Sequence, residues 1–298
     1  GERGVEGGQG CTVWIRADGG LVIAGCSGTL AEKWGNAWVI KSESEGRVEW
    51  NRTYGGFRWD KAHHIRQTAD GGYIITGYTF SHGSGNSDIW LIKADASGYP
   101  VWTNTFGGPD WEYGYAVQET SDGGFVTTGF TETEEKKSSR IWLVKTDNQG
   151  QEQWTKTFGS REHNTGHFVQ ETADGGYIVV GITQAFFPNF EDVLLIRTDA
   201  AGETLWEKTF GGQSWDRCYA IRQTDDGGYI LAGSSRLKEE SKADAWLLKT
   251  DAVGDPLWQR TFESVSSDEI TSLQTTSDGG SEERRGGKVC RSRWLPDH

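Results

Sequence analysis

Methionine is missing from all 298 residues, position 1 included, as expected of a processed or recombinantly trimmed chain. No apolar stretch is long enough to span a bilayer, so membrane insertion is not expected. The N-terminal residues carry no signal peptide, so export would require that one had already been removed or lies outside this sequence. Basic residues are in deficit: 30 Lys and Arg against 43 Asp and Glu leave a net charge of −13, which disfavours a general nucleic-acid or anionic-membrane surface. The four cysteines, Cys11, Cys26, Cys218 and Cys290, have neither CxxC nor Cys/His metal-site spacing. No G-x-S-x-G elbow, HExxH helix or Walker sequence occurs. Nothing here predicts a cofactor or a metal.

What the chain has instead is a repeat. Asp-Gly-Gly begins at Asp18, Asp70, Asp122, Asp174, Asp226 and Asp278, at a constant interval of 52 residues. A fixed period of this size marks one supersecondary unit repeated in tandem. In the second copy, Ala62 to Thr68 and Tyr73 to Gly77 flank the turn as a hairpin. Asp88 to Lys93 and Val101 to Phe106 supply a third and a fourth strand. No helical period of comparable strength is present. A four-stranded meander cannot bury both faces alone, and packing such sheets around an axis solves that problem without long open edges.

The expected fold is all-β: a β-propeller of four-stranded blades, five-bladed in preference to six, in a single domain over 1–298. Its units are approximately 10–56, 57–108, 109–160, 161–212 and 213–264, with an incomplete sixth at 265–298. In that last unit Ser281 to Gly287 replaces the apolar second strand, so Ile270 to Thr276 is expected to close the ring beside the first unit.

Several repeated residues have structural readings. Trp50, Trp102, Trp154, Trp206 and Trp258 recur at one position, as expected of inter-blade packing. Gly25, Gly77, Gly129, Gly181 and Gly233 predict a close approach or a bulge on the second strand. Lys41, Lys93, Lys145, Arg197 and Lys249 each precede an acid by two residues; those acids read as turn stabilisers, with calcium coordination the alternative although EF-hand spacing is missing. If Asp18-Gly19 is a two-residue turn, Cys11 faces Cys26, a register that allows a disulfide; unpaired buried thiols are the other reading.

Function is expected where the repeat is least regular. The second-to-third strand loops (30–36, 80–88, 131–140, 183–192 and 235–244) share a rim with the blade-to-blade loops and vary widely. Candidate ligand-binding residues there are Trp59, Trp111, His163 and Trp215, with His63, Tyr115, His167 and Tyr219 just inside them. Blade packing is the alternative for the tryptophans, and an ordinary hydrogen-bonded role for the inner four. Candidate catalytic carboxylates are Asp60, Glu112 and Asp216 on the rim and Glu119 and Glu171 farther along the first strand; a glycoside hydrolase needs two of them at a suitable separation. Phe186, Phe187 and Phe190 in one variable loop are candidates for contact with another protein or for self-association.

The segments Trp102-Thr103-Asn104-Thr105-Phe106-Gly107-Gly108, Trp154 to Gly159 and Trp206 to Gly212 resemble tandem repeats of secreted bacterial and archaeal proteins with quinoprotein-like or other β-propeller assignments. The resemblance covers about residues 12–280 and implies a secreted, extracellular or periplasmic location. The cofactor-site residues of pyrroloquinoline-quinone dehydrogenases cannot be mapped onto this chain, and that cofactor is not carried over. The sequence therefore predicts a secreted binding or interaction propeller that takes a carbohydrate or an extracellular protein on its variable rim. The alternative is an extracellular glycoside hydrolase.

Overall fold

A computed structural model describes residues 9–292 except 16–18, 29–33, 134–137, 160–162, 185–190, 213–214, 237–241, 263–266, 276–280 and 286–287. The chain divides into two compact units, Gly1–Phe158 and Gly159–His298.

The first unit holds three four-stranded antiparallel meanders. The first sheet is β1 (Gln9–Ile15), β2 (Leu21–Ser27), β3 (Asn36–Ser42) and β4 (Val48–Tyr54). The second is β5 (Asp60–Gln67), β6 (Tyr73–Thr79), β7 (Asp88–Ala94) and β8 (Pro100–Phe106), and the third is β9 (Trp111–Glu119), β10 (Phe125–Thr133), β11 (Ser138–Thr146) and β12 (Glu152–Phe158).

The second unit holds two more: β13 (Asn164–Glu171), β14 (Tyr177–Thr183), β15 (Asp192–Thr198) and β16 (Thr204–Phe210), then β17 (Asp216–Gln223), β18 (Tyr229–Ser235), β19 (Asp244–Thr250) and β20 (Pro256–Phe262). A sixth sheet has three strands, β21 (Ile270–Thr275), β22 (Ser281–Arg285) and β23 (Lys288–Ser292). Five complete four-stranded sheets match the expected five-bladed architecture.

The altered end differs from the sequence reading. Ser281–Arg285, where the apolar second strand is replaced, is itself a strand and pairs with residues 270–275. A backbone ladder needs no particular side chains, and the apolar contribution comes from Ile270 and Leu273, which pack with Ala220, Ile230, Ala232, Ala245 and Leu247 of the fifth sheet.

The two middle strands of each sheet are the most buried, because both of their faces are covered: every residue of β7 and β15 is buried, whereas β8 and β16 keep exposed positions. The repeated tryptophans connect neighbouring sheets. Trp50 Nε1 donates to the Ala96 carbonyl at 3.2 Å, and Trp102 Nε1 to the Asn148 carbonyl at 3.3 Å. Their rings meet Tyr73 and Phe125 edge-on, at 5.7 and 5.6 Å between centroids. Each also lies flush on a turn glycine: a Cβ at Gly98 or Gly150 would fall 2.8 or 2.7 Å from the indole, and both glycines have positive φ. Trp206 repeats the arrangement with Tyr229 and Gly254.

The Asp-Gly-Gly turns take five residues rather than two. In the second sheet Thr68 N–H bonds to the Gly72 carbonyl and Gln67 pairs with Tyr73. The first hairpin is likewise closed by Ile15 opposite Leu21. This longer loop and a bulge between Gly10 and Thr12 put Gln9, not Cys11, opposite Cys26, whose thiol is free and buried; the disulfide register is corrected accordingly.

Candidate functional site

The bulge in the first sheet recurs. Register slips between Ala62 and His64, on either side of Tyr115 where Thr128 pairs with Ala116 and Gly129 with Gly114, between Gly166 and Phe168, and between Cys218 and Ala220. The extra residues are His63, Tyr115, His167 and Tyr219. Their shared sequence position is thus a shared structural device, since a bulge re-aims its side chain and strengthens the local twist. The recurring second-strand glycine makes room for it. A Cβ at Gly77, Gly129 or Gly233 would lie 1.7–1.8 Å from the carbonyl oxygen of Lys61, Tyr113 or Arg217.

Asp60, Glu112 and Asp216 open the first strand of their sheets and are buried there, Glu112 being only 3% exposed. Each carboxylate holds the loop that enters its own sheet. Asp60 accepts from Gly56 N–H at 2.9 Å, Ser81 Oγ at 2.6 Å and the Thr79 hydroxyl. Glu112 accepts from Gly108 N–H at 3.1 Å and Thr131 Oγ1 at 3.0 Å, and Asp216 from Gly212 N–H at 3.0 Å.

A second acid faces two of these from the third strand of the preceding sheet. A Cβ at Gly107 would meet both Asp88 and Glu112. Burial, followed by the neighbouring Asp216 charge, raises Asp192 to about 6. Burial also raises Asp88, Glu112 and Asp216. Glu119 lies at the far end of β9, where it accepts from Ala69 N–H at 2.7 Å; Glu171 ends β13 at the equivalent place. These two stand beside the Asp-Gly-Gly turns and away from the other three.

The Asp-Gly-Gly end is closed by ion pairs that the sequence reading did not assign. Lys93 and Lys145, both buried, reach Asp70 and Asp122 at 2.8 Å, and Arg197 and Lys249 make the same bond to Asp174 and Asp226. Lys93 first, then the Thr68 hydroxyl, hold Asp70 down at about 2. The acids two residues after the cations do stabilise turns: Asp95 Oδ1 accepts from Ser97 and Tyr99 N–H at 2.8 and 2.9 Å. No group of three or more His, Cys, Asp or Glu placed for a metal ion occurs among the described residues.

At the variable end Trp59 is 42% exposed, His163 is exposed, and Trp111 and Trp215 are half-buried. Backbone bonds fix three of them: the carbonyls of Trp59, His163 and Trp215 accept from Phe80, Gln184 and Arg236 N–H. Between the second and third sheets the space is filled by rings. His63 stacks on Tyr115 at 4.7 Å, Tyr78 on Tyr113 at 4.2 Å, and Phe80 and Phe130 join Trp111 and Tyr113.

The equivalent space between the fourth and fifth sheets has Ile182, Arg217 and Ser234 in place of Tyr78, Tyr113 and Phe130. A cavity of about 200 Å³ opens there beside His167, Glu191 and Tyr219. A second one, of about 370 Å³, is lined by Trp215, Arg217, Tyr219, Ser234, Arg236 and Glu269. In the first unit an open depression of about 840 Å³ lies among Phe57, Arg58, Phe80 and His82, with Phe57 96% exposed.

Arg217, Arg236, Glu191 and Glu269 are therefore additions to the sequence-predicted set. A signal for two of them existed: the column Lys61, Tyr113, Thr165, Arg217, Glu269 changes chemistry in every copy. Phe186, Phe187 and Phe190 lie outside the described residues.

Three solved structures with similar folds are distant in sequence. The β-propeller domain of the Trilobed protease from Pyrococcus furiosus is 10% identical, with 95% of this chain and 79% of that one covered and a TM-score of 0.52. The acylaminoacyl peptidase of Pyrococcus horikoshii is 10% identical at a TM-score of 0.52; the match takes in 94% of this chain and 43% of that longer one. The WD40 domain of Pan2 from Neurospora crassa is 11% identical, with coverages of 93% and 86% and a TM-score of 0.50. No protein-family model matches the sequence, and no curated protein does. The class is thereby defined: the chain has the fold of a β-propeller with four-stranded blades, five of them complete. At this identity the likeness concerns the fold alone.

Proposed function

We propose that the protein is a secreted, extracellular or periplasmic, binding propeller that engages carbohydrate through its variable rim. An extracellular protein ligand is the other form of the same reading. The observation that carries it is the contrast between the two ends of the sheets. Buried cations close the Asp-Gly-Gly end in copy after copy, whereas three cavities lined by aromatic, hydroxyl and charged side chains open at the variable end. Concave sites with an aromatic wall and a few convergent polar groups are the usual form of small-ligand sites. The likeness to secreted quinoprotein-like repeats supports export. No helix among the described residues is long and apolar enough to cross a membrane.

The glycoside hydrolase reading draws its support from the raised acids, because a general acid must keep its proton near neutral pH. Asp192 beside Asp216 and Glu112 beside Asp88 have that property. Against it, these carboxylates bond to the backbone of their own loops and are buried beneath them. Self-association through Phe186, Phe187 and Phe190 is a further proposal; sedimentation of a Phe187→Asp variant beside the parent tests it.

Glycan-array binding followed by product analysis on captured glycans separates the readings. Binding without turnover, weakened by Trp215→Ala or Trp59→Ala, is the expected result. Turnover that Glu112→Gln abolishes in a folded protein would establish the hydrolase instead. Capture of a protein partner without any glycan would establish the interaction form.

A further inference from the structure

We propose that the cavity between the fifth and sixth sheets binds a sugar residue that carries a carboxylate, a uronic acid. The proposal rests on the carbohydrate reading above and assigns it a site and a ligand class. Arg217 is fixed at the cavity wall: its Nε donates to the buried Glu191 carboxylate at 2.5 Å, and its guanidinium lies 5.5 Å from the centre of the Trp215 ring. A guanidinium held in this way is pre-organised, and its planar fork matches a carboxylate through two parallel bonds.

Arg236, from the end of β18, lines the same cavity, and among the described residues its side chain makes no hydrogen bond or ion pair. Glu191 balances Arg217, so Arg236 is the lining cation that, among the described residues, leaves its guanidinium to a ligand anion.

The rest of the lining selects the kind of anion. Tyr219, 39% exposed, and the hydroxyls of Ser234 and Ser267 offer donors and acceptors to sugar hydroxyls. Glu269 is exposed and makes no ion pair among the described residues; it can accept from two neighbouring hydroxyls, and it repels a doubly charged phosphate more than a singly charged carboxylate. Trp215 adds an aromatic wall. The volume of about 370 Å³ is within the range of small-ligand sites. Where the seam between the second and third sheets has Tyr78, Phe80, Trp111 and Tyr113, the repeat positions lining this cavity carry Ser234, Arg236, Ser267 and Glu269, so hydroxyls and charges stand in place of rings.

The test is calorimetric titration with trimers of galacturonate, glucuronate and mannuronate, their methyl esters, and the neutral trimers. One acidic trimer is expected to bind. Its ester and the Arg236→Gln variant should each weaken binding at least tenfold, with the melting temperature unchanged and binding falling as salt rises. Arg47→Gln, in the exposed turn between β3 and β4 of the first sheet, should bind as the parent does. Equal binding of acid and ester, or parent-like binding by Arg236→Gln, overturns the proposal. If the protein binds neutral glycans on the array but no uronate, this site assignment falls while the carbohydrate reading stands. If it binds no glycan of either kind, both fall.

Discussion

The space between the second and third sheets and the space between the fourth and fifth are built from the same repeat positions, yet one is packed and the other is hollow. The first contains His63, Tyr78, Phe80, Trp111, Tyr113, Tyr115 and Phe130; the second has His167, Ile182, Gln184, Trp215, Arg217, Tyr219 and Ser234. The bulge and the glycine opposite it are retained in both. Backbone geometry is thus the constant, and four exchanges of a ring for a smaller or charged side chain, Tyr78 to Ile182, Phe80 to Gln184, Tyr113 to Arg217 and Phe130 to Ser234, go with a cavity in place of a packed seam. The lesson is that the bulge positions residues without dictating what they do.

The sharpest way to break this comparison is to cut the same column in both places. Phe130→Ala should cost about 3 kcal/mol, because its ring packs on Tyr113 and Tyr115. Ser234→Ala should cost under about 1 kcal/mol. Denaturant titrations giving equal losses would show that the two spaces are not packed differently.

Next in size is Gly129→Ala, which must push a Cβ into the Tyr113 carbonyl. Its expected cost is about 2 kcal/mol, and Gly233→Ala should match it if the bulge is common to both units. A loss confined to one of them would show that the device is not shared.

Asp192→Asn probes the buried acids. Asp192 is raised from 3.8 to about 6 in the fold, so its favourable contribution is complete below pH 3.8 and is lost as pH rises through about 6. The Asn variant should therefore be more stable than the parent at pH 7, on the order of 1 kcal/mol, and lack that part of the pH dependence. Asp70 at the other end has the opposite sign: held at about 2, it stabilises above pH 3.8, and the gain disappears as pH falls toward 2. Melting temperatures from pH 2 to pH 8 check both.

The smallest expected change in stability, under about 1 kcal/mol, belongs to Ser234→Phe, which restores the ring of the packed seam. Its effect should instead appear as loss of ligand binding. Binding that survives a filled cavity would place the ligand elsewhere.

Much of this architecture is legible in the sequence because it is periodic. A 52-residue interval, a tryptophan on every fourth strand and a glycine on every second one each have a single packing explanation, and the structure supplies it in the Trp102–Gly150 and Gly129–Tyr113 contacts. The parts that were misread or left unassigned depend on counting residues through turns or on contacts distant in sequence. The five-residue turn and the bulge shift Cys11 away from Cys26. Lys93 pairs with Asp70, 23 residues earlier, a contact the sequence left unassigned. Asp60 and Glu112 look like rim carboxylates in sequence, but the glycine turn four residues before each folds back over it. Arg217 and Arg236 stand out only when copies are aligned and the differences are examined along with the likenesses.

The contact between Trp102 and Gly150 has a genetic consequence. The indole and the turn that receives it lie in neighbouring copies, so every 52-residue block carries both halves of a joint. Duplicating one block in the coding sequence creates a new joint already complementary on each side, whereas a partial block would leave an indole or a turn without its counterpart. Growth by whole copies is therefore the route along which the scaffold can lengthen without inventing a new interface, and the loop columns are left free to drift apart once the copies exist.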